Sequence, residues 1–172
     1  MRILSRLVKS ICFVAIVSFF ASVPASANCD DETCRDYQVT FETITYALEG
    51  CTKSLTDNGM TETTRRKCLF SIPTSAVYYK QMLKKHGPDS KLTQFAAFAE
   101  FQASYYVTAS YLELAPERPS LPWIQGTCKY NDRAKELSGI SFSKLQSYRQ
   151  AWVKQVVPNI DGLEKTCATV PE

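Results

Sequence analysis

Residues 34–55 read CRDYQVTFETITYALEGCTKSL. Cys34, Tyr37, Phe41, Ile44, Leu48, Cys51 and Leu55 recur at alternating steps of three and four, which places them on one face of an α-helix. Two positions of that dry seam are cysteines, so the spacing predicts the first long helix of a disulfide-pinned bundle. The helix continues to about Thr56. Asp57-Asn58-Gly59 ends it, because Asn and Gly tolerate the left-handed backbone of a C-cap or turn. Gly50 lies inside the helix at a cost of about 1 kcal/mol relative to alanine, which implies a close neighbour.

Upstream, Arg2, Arg6 and Lys9 precede an apolar run from Ile11 to Phe20, followed by Pro24 and Ala25-Ser26-Ala27. A basic start, a run too short to span a bilayer and small residues before the exit read as a secretory signal peptide, residues 1–27, cleaved after Ala27 and leaving no stable membrane anchor. The three basic residues of 1–27 account for the whole excess of 20 basic over 17 acidic side chains, so residues 28–172 balance. That balance argues against nucleic acid or an anionic membrane as partner.

Cys12 leaves with the signal, and Cys29, Cys34, Cys51, Cys68, Cys128 and Cys167 remain. An even set in an exported chain reads as three disulfides in an oxidising compartment, periplasmic or extracellular. With no C-x-x-C spacing and one histidine, His86, the set does not read as a metal site, and nothing implies a cofactor. Cys34 and Cys51 lie about 25 Å apart along one helix at about 1.5 Å per residue, too far to bond each other. Cys51 and Cys68 flank Gly59 almost symmetrically, so an antiparallel hairpin sets them opposite one another. Of the rest, Cys128 with Cys167 is the favoured pair. Cys29 and Cys34 are left to join each other or the late cysteines.

Asp30, Asp31 and Glu32 lead into the first helix, where negative charge favours an amino terminus. Thr61 or Thr64 caps a short second helix to Phe70, and a third runs from about Ile72 to His86 with Pro73 in its first turn. His86-Gly87-Pro88 is a stop. Ser90 caps a fourth helix, Lys91 to Leu114, in which Phe95, Phe98, Phe101, Tyr105, Tyr106 and Tyr111 interleave with alanines, marking the most buried element. Pro116, Pro119 and Pro122 interrupt APERPSLPWIQG, read as a surface loop carrying Trp123, whose ring either anchors a protein interface or tucks inward as a plug. Thr127 caps a short helix to Leu137. Ser143 with Gln146 forms a capping pattern for a last long helix with a dry stripe of Leu145, Tyr148, Trp152 and Val156, ended by Pro158 before a final turn to Cys167. No window alternates with period two. The expected fold is all-α: one domain, residues 28–172, a bundle of four to five main helices cross-linked by three disulfides.

The inventory leaves little for catalysis. One histidine before Gly-Pro suits a helix cap better than a triad, and no phosphate-loop, dinucleotide or H-E-x-x-H motif occurs. A carboxylate pair would suffice for cleaving glycans, and Glu100, between Phe98 and Phe101, is the candidate general acid. The plainer reading makes Thr93, Ala97, Glu100, Ser104 and Thr108 the one solvent stripe of their helix. The aromatic helix reads as core, with a carrier of an apolar ligand as the alternative.

Residues 28–62 hold eight acids and two bases, whereas 63–91 hold seven bases and one acid. Either the two segments neutralise one another or the basic face steers an acidic partner. Taken together these readings favour a non-enzymatic binding protein of the inhibitor or immunity type, which blocks a protein partner by surface complementarity. Trp123, Arg65, Arg66, Lys67, Lys84 and Lys85 are its candidate contacts.

Overall fold

A computed structural model describes residues 32–117 and 120–170. Five helices and no strand occur among them: α1 (Glu32–Asn58), α2 (Glu62–His86), α3 (Lys91–Leu114), α4 (Leu121–Ser138) and α5 (Ser147–Cys167). The expected signal peptide and Cys29 lie outside the described residues. Among those residues, no helix is long and apolar enough to cross a membrane.

The turns follow local chemistry. Gly59 and Gly87 adopt φ of 66° and 75°, closing α1 and α2 where the sequence calls for left-handed backbone. Thr61 caps α2 by accepting a hydrogen bond from the Thr64 amide, and Ser90 caps α3 by accepting from that of Leu92. Neighbouring helices run antiparallel, as their paired contacts descend in register. Thr43 meets Tyr78 and Ser54 meets Thr64 between α1 and α2. Tyr111 meets Trp123 and Glu100 meets Arg133 between α3 and α4, and Asn131 reaches Ile160 between α4 and α5.

The central element is α3, buried around nearly its whole circumference. Ala96, Ala97, Ala99 and Ala103 are buried in the core, and such small side chains let neighbouring helices approach closely. Its aromatic side meets α5 through large side chains: Trp152 stands edge-on to Phe98, Phe101 and Tyr105 at centroid distances of 5.6–5.8 Å, and Phe142 fills in beside Phe98.

Two disulfides form among the described residues, Cys51–Cys68 and Cys128–Cys167, with Cα separations of 4.5 and 5.3 Å. Both are the favoured pairs. The first joins α1 to α2 and the second α4 to α5, both towards the same end of the bundle.

Several sequence expectations are corrected. The separate second and third helices are one, α2, with Pro73 in its interior, and α5 likewise runs through Pro158. Both prolines are exposed, so the carbonyl that each leaves without an amide partner faces the solvent side, where water satisfies it. Tertiary ties beyond each proline offset the roughly 3 kcal/mol that it costs: Thr40 to Met82 past Pro73, and Asn131 to Ile160 with the Cys167 disulfide past Pro158. The loop read through Trp123 ends at Ser120, because Pro122 is tolerated in a first helical turn, and Trp123 and Thr127 belong to α4. Gln146, not Ser143, precedes α5, and Tyr148 is exposed. Among the described residues, no atom outside its own stretch of helix lies within 4 Å of where a Gly50 Cβ would be, so the expected close neighbour is not found there.

Candidate protein-binding end of the bundle

The end of the bundle that holds both disulfides also gathers the most elaborate side-chain cluster. Tyr111, on the last turn of α3, stands edge-on to Trp123 at 4.6 Å and parallel to Tyr130 at 6.2 Å, both from α4. The Trp123 indole donates to the Tyr111 carbonyl at 2.8 Å. Arg65, from the first turns of α2, lies over both rings at 4.8 and 5.2 Å from their centroids, and its Nη1 donates to the Tyr111 hydroxyl at 3.0 Å. Desolvated cation–π contacts of this kind contribute up to about 2 kcal/mol.

Glu62 sets the guanidinium. Its carboxylate accepts from Arg65 Nε and Nη2 at 2.8 and 2.6 Å and from Arg66 Nε at 2.9 Å. The hydrogen bonds from Arg65 are the main cause that holds the Glu62 carboxyl down to about 2 against an ordinary 4.5, with burial opposing and Arg66 assisting. The bidentate fork holds the Arg65 guanidinium against the two rings.

Gly126 completes the fit. A Cβ at that position would lie 2.7–2.9 Å from Cζ, Oη and Cε1 of Tyr111. The ring therefore occupies the volume that a side chain would take. Beside this cluster Leu121, Pro122 and Ile124 are exposed on the first turn of α4, an apolar rim around the half-buried Trp123.

The other candidates are dispersed by helix geometry. Arg65, Arg66 and Lys67 are consecutive and so point about 100° apart: Arg65 into the cluster, Arg66 back to Glu62, and Lys67 to solvent. Lys84 and Lys85 sit near the far end of α2, some 27 Å from Arg66 at about 1.5 Å per residue. There Lys85 pairs with Glu32 at 2.7 Å and with Asp36, to which His86 Nε2 also bonds at 3.0 Å. Lys85, then His86, lowers the Asp36 carboxyl below its usual range. The acidic and basic segments thus neutralise one another in part, while Lys67, Lys80 and Lys84 form no ion pair among the described residues.

Glu100 is 2% exposed, so the stripe Thr93, Ala97, Glu100, Ser104 and Thr108 is buried rather than solvated. The reason is that α4 packs over it. Arg133 reaches in from that helix, Nε to Oε1 at 2.6 Å, and bonds the exposed Glu136 with its other arm. Glu100, then Glu136, raises Arg133 above its usual range.

No protein family, no curated protein and no solved structure matches this chain. The case for a site therefore rests on its residues. Trp123 was legible from the proline-rich sequence around it. Tyr111, Tyr130, Glu62 and Gly126 were missed, and the one signal for them was a glycine three residues after a tryptophan in a segment that is otherwise helical. Among the described residues, no group of His, Cys, Asp and Glu is arranged to hold a metal ion.

Proposed function

We propose that this chain is an exported helical binding protein of the inhibitor or immunity type, whose disulfide-pinned end blocks a partner protein in the envelope or outside the cell. The observation that carries the reading is Trp123. Its ring is fixed by Tyr111 and Arg65, its N–H is already satisfied, and exposed Leu121 and Ile124 lie beside it. A rigid aromatic anchor with an apolar rim loses little entropy on docking, the property of interface hot spots. Arg66 and Lys67 flank the same end and would steer an acidic partner.

The two disulfides support an oxidising compartment, and with Cys51, Cys68, Cys128 and Cys167 consumed, Cys29 is left to Cys34 as a third bond. Glu100 beneath Arg133 lends no support to the alternative of glycan cleavage. The test is capture from the native envelope fraction with oxidised residues 28–172 carrying a photo-crosslinker at Ile124. One protein should crosslink at that position, and Trp123→Ala should weaken its complex by more than ~1 kcal/mol. A partner that binds the Trp123→Ala variant unchanged removes this end from the account.

A further inference from the structure

The opposite side of α2 from Trp123 carries a second apolar surface, shared with α1. Val39 and Tyr46 on α1 are 53% and 80% exposed, and Phe70 and Val77 on α2 are 73% and 51% exposed. Each pair is seven residues apart, so each forms one stripe along its helix. Register brings the two stripes together: Cys51 faces Cys68, Thr43 faces Tyr78 and Asp36 faces Lys85. On that register Tyr46 lies level with residues 73–75, between Phe70 and Val77. The seam faces away from α3, whose contacts with α1 and α2 run through Phe41 and Arg65 on their other sides.

Gly50 belongs to the same outward side, one turn from Tyr46. Among the described residues nothing outside its own stretch of helix lies within 4 Å of its missing Cβ, and it needs no positive φ. A mid-helix glycine costs about 1 kcal/mol, and close approach of another helix is the packing reason to keep one. The margins of the face are charged with opposite sign. Glu42 and Glu49 border it on α1 and Lys80 and Lys84 on α2, all exposed and none in an ion pair among the described residues.

We propose that a second copy of this chain covers this face, with a twofold axis running along the two helices. Such an axis lays α1 of one copy against α2 of the other at the same level, so like charges never meet. Glu42, level with residues 77–79, then falls within one turn of Lys80 of the second copy. Tyr46, Phe70 and Val77 close over one another between these margins, and Gly50 admits the approaching helix. This dimer leaves the Trp123 end uncovered and does not depend on the function proposed for it.

Sedimentation equilibrium on oxidised residues 28–172 tests the proposal. The protein should dimerise reversibly, and Phe70→Glu, at a site too exposed to matter for folding, should raise the dissociation constant at least ~10-fold while circular dichroism stays unchanged. Glu42→Lys and Lys80→Glu should each weaken the dimer, and the two together in one chain should restore it, because each copy then supplies the complement of the other. A monomer at every concentration overturns the proposal and leaves the face to a different protein. A dimer indifferent to Phe70→Glu, or charge reversals without mutual rescue, overturns it equally.

Discussion

Replacing Gly126 by alanine tests whether the end of the bundle is built as described. In an ordinary helix interior the change stabilises by about 0.5–1 kcal/mol, through the entropy that glycine forfeits on folding. Here the new methyl would meet Cζ, Oη and Cε1 of Tyr111 at 2.7–2.9 Å. The ring has nowhere cheap to go: it is held edge-on by Trp123, parallel by Tyr130, and through its hydroxyl by Arg65. Trp123 lies on the same helix as the added methyl, so pushing the ring off α4 also parts the two aromatics. Overpacking of this kind costs about 1–3 kcal/mol, so the net effect should be destabilising by about 0.5–2 kcal/mol. Gly162→Ala is the internal control, since nothing lies within 4 Å of that Cβ and α5 is helical there. Urea unfolding with disulfides intact reads both. Gly126→Ala should lower the midpoint and Gly162→Ala should raise it. If both raise it alike, the Tyr111 ring does not occupy the space beside Gly126, and the described cluster is wrong.

Glu62 should make stability depend on acid. Its folded value of about 2 lies below the ordinary 4.5, so its contribution is fully present above about pH 4.5 and is lost as pH falls towards 2. The ceiling is on the order of 3 kcal/mol at about 1.4 kcal/mol per pKa unit, and Glu62→Gln should flatten that part of a pH series of urea midpoints. Glu100→Ala should destabilise by about 3 kcal/mol, because it leaves Arg133 beside an empty buried site, whereas a paired Glu100→Leu, Arg133→Met change should recover most of the loss in the same assay. Removing the Cys51–Cys68 bond by a double serine change should cost about 3 kcal/mol from the loop it closes, measured by thermal unfolding against the oxidised parent.

Much of the architecture was legible because it rests on period and punctuation. The three-four spacing of 34–55, the glycines at 59 and 87 and the caps at Thr61 and Ser90 are local signals with local consequences. The Cys51–Cys68 disulfide followed from where the first hairpin turns, whereas Cys128–Cys167 was only the favoured pair among the cysteines that remained. What misled was rules for isolated helices applied to packed ones: Pro73 and Pro158 read as breaks, yet packing and disulfides carry α2 and α5 straight through them. Burial was misread for a related reason. Glu100 and its neighbours look like a wet stripe until α4 covers them and Arg133 supplies the missing charge. At the candidate site Trp123 announced itself through its prolines, but Tyr111 could not be told from the five other aromatics of α3. Only the fold reveals that Gly126 makes room for its ring.

The measurement closest to the central claim is peptide mapping without reduction on the protein recovered from the cells that make it. The chain should begin at Asn28, with Cys51 joined to Cys68, Cys128 to Cys167, Cys29 to Cys34, and no free thiol. Free thiols at these positions, or a chain that retains Met1, would contradict it.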